Sequence, residues 1–487
     1  MTNQPIFLAM KSPQLLALAS TVLLLGCGEA ADVEPNVVLI VIDDLGWVDT
    51  GVYGSTFYET PNIDRLAAEG ARFTQFYAAS PVCSPTRASI MTGKYPARVN
   101  ITNWIGGEQQ GRLLQAEYER ELALDEITIG DAFQAIGYAT GYIGKWHLGG
   151  EPFEPEFQGF DLNVGAHHAG QPGSYFFPYK NERRPRFDVP DLENGQEGEY
   201  LTDRLTNESL RFIEANHDRP FLLVLSHYSV HTPLESKPEL TDKYRAKELP
   251  AADGPAFLPE GAAATKQRQD HAVYAGMIQS TDESVGLILD KLEELALTER
   301  TIVVFVSDNG GLSTLMNGRT TSPTSNVPLR AGKGWLYEGG IRTPLIVKWP
   351  GVVQPGSVID EPAITNDLFP TLMDLAEVPL TLNFFGDGRS LAPVLRGTGL
   401  LEREPLYWHF PHYHGSGNVP SGAIRAGVYK LIEWFEDGRT ELYNVREDIG
   451  ETTDLSAAMP EKAGELLGML REWRVVVEAR MPTPNPR

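Results

Sequence analysis

Cysteine is scarce: only Cys27 and Cys83 occur in 487 residues. They can form at most one disulfide, so no disulfide framework organises the chain. Different roles are argued below for the two, and no disulfide is expected. Positive charge is also short, with 41 Lys and Arg against 65 Asp and Glu and a formal net charge of −24. This balance argues against general nucleic-acid binding, which needs a basic surface to meet phosphates. It also repels anions at long range, so an anionic substrate requires positive charge gathered in a pocket. A membrane-length apolar run is missing too. The stretch Leu15–Leu25 falls short of the roughly 20 residues a spanning helix needs.

What remains is ordinary for a folded chain. A 42% hydrophobic and 22% charged composition rules out a fibrous or disordered polymer. The length suits one large domain plus a smaller one. Lys11 precedes the apolar stretch, which closes on Leu24-Leu25-Gly26-Cys27. A short apolar run ending on small residues reads as an export signal, so residues 1–26 are set apart from the fold. The ending also resembles the bacterial lipoprotein box, although Leu25 departs from its usual small residue. That resemblance implies a lipid anchor at Cys27 on an exported, periplasmic or cell-surface protein.

In the mature chain, Val37–Ile42, Phe221–Leu225 and Thr301–Val306 are continuous apolar runs rich in β-branched residues. Such runs read as strands buried on both faces. Pro344–Val347 is a shorter candidate. Helical spacing over Pro61–Glu69 and His271–Leu297 alternates with them, which argues for an α/β domain with a mostly parallel sheet. The larger, N-terminal domain is taken as residues 33–396. From 397 to 487 the pattern changes to the strand-like runs Ala423–Ile432 and Thr440–Tyr443, with Asp437-Gly438 as a hairpin signal between them. A helix over Glu461–Ala479 follows, giving a small α+β subdomain. Asn181–Gly198 and Pro238–Thr265, rich in Pro, Gly and charge, read as long surface loops.

Asp43-Asp44 and Asp308-Asn309 each follow directly on an apolar strand. Ligands of open α/β sheets bind beyond the carboxyl ends of strands. Three carboxylates and an amide oxygen collected there repel unless a cation joins them, and all-oxygen ligands favour Ca²⁺ or Mg²⁺. Alternatively, each pair only caps a turn. Cys83 lies in Pro81-Val82-Cys83-Ser84-Pro85-Thr86-Arg87, where Pro85 suits a first helical turn and Arg87 offers a forked donor for an oxyanion. Lys145 and His147 stand two apart and would share a face of an extended segment. His231 follows the second strand, and Lys333 precedes Glu338-Gly339-Gly340-Ile341-Arg342. Taken singly, the cysteine reads as a buried hydrophobe and the other four as loop residues.

Taken together, these segments resemble the formylglycine-dependent type I sulfatases of the alkaline-phosphatase superfamily. The match runs from Asp43-Asp44-Leu45-Gly46 through Cys83-x-Pro85-x-Arg87 and Thr92-Gly93-Lys94-Tyr95-Pro96. It continues with Gly144-Lys145-Trp146-His147-Leu148-Gly149, His231-Thr232-Pro233, Ser307-Asp308-Asn309-Gly310 and Lys333 with its Glu-Gly-Gly-Ile-Arg. The resemblance implies a large, mixed, mostly parallel sheet sandwiched by helices, with a small C-terminal antiparallel sheet and helix. It implies that a formylglycine-generating enzyme oxidises Cys83 to Cα-formylglycine, whose hydrate attacks sulfur. Asp43, Asp44, Asp308 and Asn309 would hold Ca²⁺, with Mg²⁺ second, and residue 83 would touch the ion. Arg87 would orient residue 83. Lys145 and Lys333 would neutralise sulfate oxygens, His231 would protonate the leaving alcohol, and His147 would take the last proton.

For the substrate, bacterial glycan sulfatases are similar over Gly173–Tyr179 and Gly198–Arg204, which suggests a sulfated carbohydrate. Trp104, His167, His168, Tyr175, His227 and Arg342 are taken as substrate-binding candidates, with His409, His412 and His414 as a further polar-aromatic group. Two alternatives stand beside this reading. One is a phosphoester or phosphonate hydrolase of the same superfamily. The other is a non-catalytic glycan-binding protein on the same scaffold.

Overall fold

Strand β1 (Asn36–Ile42) is buried at every residue. Successive side chains of a strand point to opposite faces. Val37, Leu39 and Val41 accordingly join one apolar core, while Val38, Ile40 and Ile42 join another. A strand with two buried faces belongs at the centre of a covered sheet. Seven further strands complete it: β2 (Ala71–Phe73), β3 (Ala139–Gly144), β4 (Leu162–Val164), β5 (Phe221–Ser226), β6 (Thr301–Ser307), β7 (Leu345–Lys348) and β8 (Ser357–Ile359). Their order is β8-β2-β7-β6-β1-β5-β3-β4. β6, β1, β5, β3 and β4 run parallel, and β7 lies antiparallel to both its neighbours. The expected mixed, mostly parallel sheet is thus present.

This is a computed structural model that describes residues 1, 2, 34–249, 254–316, 322–378, 386–401 and 403–486. The export segment and Cys27 lie outside the described residues. Residues 34–487 form one compact unit.

Helices α1 (Pro61–Glu69), α2 (Cys83–Thr92), α3 (Leu201–Ala215) and α4 (Ala272–Glu294) flank the sheet's strands in the chain. In α4, Met277, Ile278, Val285, Ile288, Leu289 and Leu292 recur at helical spacing and enter the second core. Asp282 on the same helix accepts the first-turn N–H groups of Asn62 (2.9 Å) and Ile63 (2.8 Å), capping α1 from outside it.

The C-terminal part is a four-stranded antiparallel meander, β9 (Leu406–Phe410), β10 (Ser421–Ala426), β11 (Tyr429–Trp434) and β12 (Thr440–Asn444), with helix α5 (Pro460–Val476). Ile424, Leu431 and Leu442 pack on Ala463, Leu466 and Leu470 of α5. The opposite face, with Trp408, Ala423, Ile432 and Trp434, packs on Tyr77, Val82, Trp335, Tyr337 and Ile341.

Three local expectations need correction. Ala423–Ile432 is two strands, because Gly427 adopts φ 60° and reverses the chain. Pro238–Thr265 is not all loop. It holds a helix over Pro238–Ala246 that buries Leu240, Thr241 and Tyr244, and strand Phe257–Glu260 paired with strand Ala263–Lys266. The Lys145–His147 segment is not extended, since His147 has φ 59°.

Candidate active site

Four adjacent parallel strands end at one place. β1 delivers Asp43 and Asp44, β6 delivers Asp308 and Asn309, β3 delivers Lys145, and β5 ends at Ser226. Asp44 takes φ 64°, an uncommon conformation for a residue with a Cβ. Its N–H donates to Asp308 Oδ1 at 3.2 Å, tying the two strand ends together. Cys83 is the first residue of α2, at the positive end of the helix dipole.

The atoms converge. Ligand atoms of Asp43, Asp44, Cys83 and Asp308 all lie within 4.8 Å of one another, and Asp44, Cys83 and His231 form an overlapping group. Cations surround them. Lys145 Nζ is 2.6 Å from Asp43 Oδ2. Lys333 Nζ is 2.6 Å from Asp44 Oδ1 and 3.4 Å from Cys83 Sγ. Arg87 donates from Nε to Asp308 Oδ2 (2.8 Å), and from Nη1 to the Lys145 carbonyl (2.7 Å) and Ser226 Oγ (2.6 Å). Asn309 Nδ2 donates to Asp44 Oδ1 at 2.8 Å, and His231 Nε2 lies 3.8 Å from Asp44 Oδ2. In a chain with a net charge of −24, the three cations gathered here offset the three carboxylates, and a divalent cation bound among them would give the positive charge an anion requires.

The protonation states follow from burial and these neighbours. Burial pushes the Cys83 thiol up to about 12, although Lys145 and Lys333 oppose it. An unmodified thiol here stays protonated at neutral pH and is a poor nucleophile. Burial raises Asp43 to about 7 despite Lys145, whereas Lys333, His231 and Lys145 overcome burial and hold Asp44 well below the usual carboxylate range. Burial and then Lys333 push His231 down to about 3. His231 Nδ1 is 2.8 Å from the Thr232 carbonyl, which can only accept, so Nδ1 carries the hydrogen and Nε2 is bare. Burial and Lys145 hold His147 neutral as well. Its Nε2 is 3.2 Å from the Ile105 carbonyl, which leaves Nδ1 as a buried basic nitrogen without a partner.

The donor set suits a divalent cation. Asp43 Oδ1 and Asn309 Oδ1 are buried and make no hydrogen bond, although neighbouring atoms of both residues are paired. Buried oxygens without donors, beside three clustered carboxylates, are what a hard ion would satisfy.

The substrate-binding candidates divide. Trp104 is half-buried, in the loop whose Ile105 N–H donates to Ser84 Oγ (3.0 Å), next to Cys83. His167 is buried and accepts the His147 N–H at its carbonyl (3.1 Å), and His168 beside it is exposed. The other three candidates are structural. Tyr175 is fully buried, with its hydroxyl 2.6 Å from the Tyr228 carbonyl and 2.9 Å from that of His231. It braces the His231 turn and offers no surface to a sugar. His227 is fully buried against Ser284 Oγ (2.9 Å). Arg342 is buried against Glu338 (2.9 Å) and Tyr77 (3.0 Å). Of the C-terminal histidines, His409 and His412 are buried on Arg480 and Thr102, while His414 is half-buried beside Ser416.

Sequence reading missed the braces. Ser226 and Tyr142 both reach the Lys145 carbonyl (2.7 and 2.6 Å). Asp49 accepts from Gly46 N, Tyr274, Thr324 and Gln269 at 2.8–2.9 Å, holding the turn after Asp44. Its position five residues after Asp44, among turn-forming residues, was the available signal.

Residues 35–378 match the sulfatase family, and residues 331–471 match the C-terminal region of N-sulphoglucosamine sulphohydrolase. A sulfatase of Formosa agariphila is 31% identical over 91% of this chain and 89% of its own. N-acetylgalactosamine-6-sulfatase of Mus musculus is 32% identical over 86% of this chain and 76% of its own. The crystal structure of Ps i-CgsB in complex with k-i-k-neocarrahexaose superposes with a TM-score of 0.72 at 30% identity, covering 90% of this chain and 92% of that one. With a family match over most of its length and a cluster of paired cations and carboxylates at the sheet's carboxyl edge, the chain belongs to the sulfatase family and is a sulfuric ester hydrolase.

Proposed function

We propose that this protein removes sulfate from a sulfated carbohydrate, using residue 83 as Cα-formylglycine and a Ca²⁺ ion held by Asp43, Asp44, Asp308 and Asn309. The observation that carries the proposal is the packing of Cys83 Sγ and three carboxylates within 4.8 Å, inside a ring of Lys145, Lys333 and Arg87. The unmodified thiol, buried and held protonated, is a poor nucleophile, so a modified residue 83 suits the reaction better. Ca²⁺ is preferred to Mg²⁺ because the ligands are all protein oxygens on several loops, a set that a larger and less exacting ion accepts.

The bound cation supplies positive charge for a sulfate oxygen and for the hydroxyl of residue 83. The hydrated aldehyde supplies one hydroxyl for attack on sulfur and a second that permits sulfate release. The chain's own groups do the rest. Lys145 and Lys333 neutralise the sulfate oxygens as charge develops. Arg87 fixes Asp308 and the Lys145 segment relative to α2. An arriving anion raises the proton affinity of His231 through Coulomb attraction, so that Nε2 can protonate the leaving alcohol. His147, held neutral, takes the last proton at Nδ1.

The carbohydrate assignment is supported by similarity to a protein crystallised with a neocarrahexaose and to N-acetylgalactosamine-6-sulfatase. Export, a lipid anchor at Cys27 and maturation by a formylglycine-generating enzyme belong to the same proposal. The test is sulfate release from defined sulfated saccharides by matured enzyme, beside 4-nitrophenyl sulfate and 4-nitrophenyl phosphate. Turnover of sulfates and a sulfated saccharide is expected. Preference for the phosphate ester, or activity on aryl sulfate with none on any saccharide, would overturn the assignment.

A further inference from the structure

Lys333 sits on a loop with little slack. Its own N–H donates to the Gly311 carbonyl (3.1 Å) and that of Gly334 to the Pro81 carbonyl (2.9 Å), so the loop touches both the Asp308–Asn309 segment and the Cys83 segment. The loop then turns through Glu338–Ile341, where the Gly340 carbonyl accepts from Gly310 N at 3.0 Å. A Cβ on Gly310 would lie 1.9 Å from the Gly339 carbonyl oxygen, and one on Gly340 would lie 2.0 Å from that of Trp335. Only bare backbone fits at these crossings, so a shift of the turn moves all three segments.

Glu338, at the head of that turn, is held by the C-terminal sheet. Lys430 on β11 places Nζ 2.9 Å from Glu338 Oε1 and 2.9 Å from Glu451 Oε1. Glu451 Oε2 accepts the Glu338 N–H at 2.6 Å. All three side chains are fully buried. The far oxygen of Glu338 meets Tyr77 (2.8 Å) and Arg342 (2.9 Å). Buried ions are costly to desolvate, and apolar groups of similar volume would hold two layers together as well. What an ionic set with directed hydrogen bonds adds is one fixed geometry.

We infer that Lys430 and Glu451 are positioning residues for catalysis, setting the place of Lys333 through Glu338 and its turn. The inference rests on the proposed role of Lys333 at the sulfate. It makes the C-terminal sheet a working part of the site.

The test compares the parent enzyme with Lys430→Met/Glu451→Gln, which removes one charge of each sign and leaves Glu338 paired to Arg342. Glu451→Gln alone is the milder variant, should the double variant not fold. Lys333→Met serves as the control. For each, kcat and KM on 4-nitrophenyl sulfate are measured per folded molecule oxidised at residue 83, beside the urea midpoint. The double variant, or failing it the milder one, is expected to lose about tenfold or more in kcat, the scale of a sub-ångström to ångström misplacement, with KM little changed. A parent-like kcat with only a lowered urea midpoint would overturn the inference and leave a cross-link. If Lys333→Met itself keeps the parent kcat, the role of Lys333 fails, and the inference falls with it.

Discussion

Replacing Arg87 with lysine keeps the charge and removes the fork. Arg87 reaches two separate places at once, Asp308 through Nε and the Lys145 carbonyl with Ser226 through Nη1, at 2.6–2.8 Å. One ammonium on a flexible stem satisfies one of these places. The variant therefore loses at least one hydrogen bond of the charged kind, about 1.5–3 kcal/mol, and leaves a buried acceptor set short of donors. Equilibrium unfolding in urea should fall by roughly 3 kcal/mol. If the lost placement of Asp308 and Lys145 is felt fully in the transition state, kcat/KM falls by up to about a hundredfold, at 1.36 kcal/mol per tenfold. Arg87 also lies in the segment resembling a maturation signature, so rates must be expressed per residue-83 aldehyde counted by mass spectrometry. A variant with parent stability and parent kcat/KM on that basis would refute the claim that the fork, rather than the charge, organises the site.

Three other outcomes are expected. Tyr175→Phe removes the hydroxyl beside the His231 and Tyr228 carbonyls, and should cost about 1–2 kcal/mol of stability and lower kcat without changing KM for a saccharide; a raised KM alone would return Tyr175 to the substrate surface. Burial raises Asp282 from 3.8 to about 6, so the native state keeps its proton where the unfolded chain has lost it. Its contribution of up to about 3 kcal/mol is therefore present below pH 4 and lost as pH rises through 6; urea midpoints across that window should show this slope, and Asp282→Asn should flatten it. Chelation of enzyme prepared with Ca²⁺ should abolish turnover and lower the thermal midpoint, by the equivalent of about 2.7 kcal/mol when the ion had stood at a hundred times its Kd. Indifference of both to the chelator would count against the cation.

Much of the catalytic cluster is legible in the sequence for a physical reason. A strand covered on both faces must be apolar throughout, so Asp43-Asp44 after Val37–Ile42 and Asp308-Asn309 after Thr301–Val306 announce the sheet's edge. Helical spacing likewise marks α1 and α4. Burial of single polar side chains is not written locally. Tyr175 finds its carbonyl partners 53 and 56 positions away, and Arg342 finds Tyr77 at a separation of 265. No period in the chain reports such meetings, so both read as exposed donors. The density of Pro and charge in Pro238–Thr265 likewise hides the helix that Leu240 and Tyr244 anchor. The ion set of Glu338, Lys430 and Glu451 is invisible for the same reason, since its members come from three distant segments.

The most direct measurement is sulfatase activity as a function of the fraction of residue 83 converted to aldehyde, across preparations matured to different extents. The proposed chemistry predicts a straight line through the origin, with fully thiol-bearing protein inert. Turnover by protein whose Cys83 is entirely a thiol would contradict it.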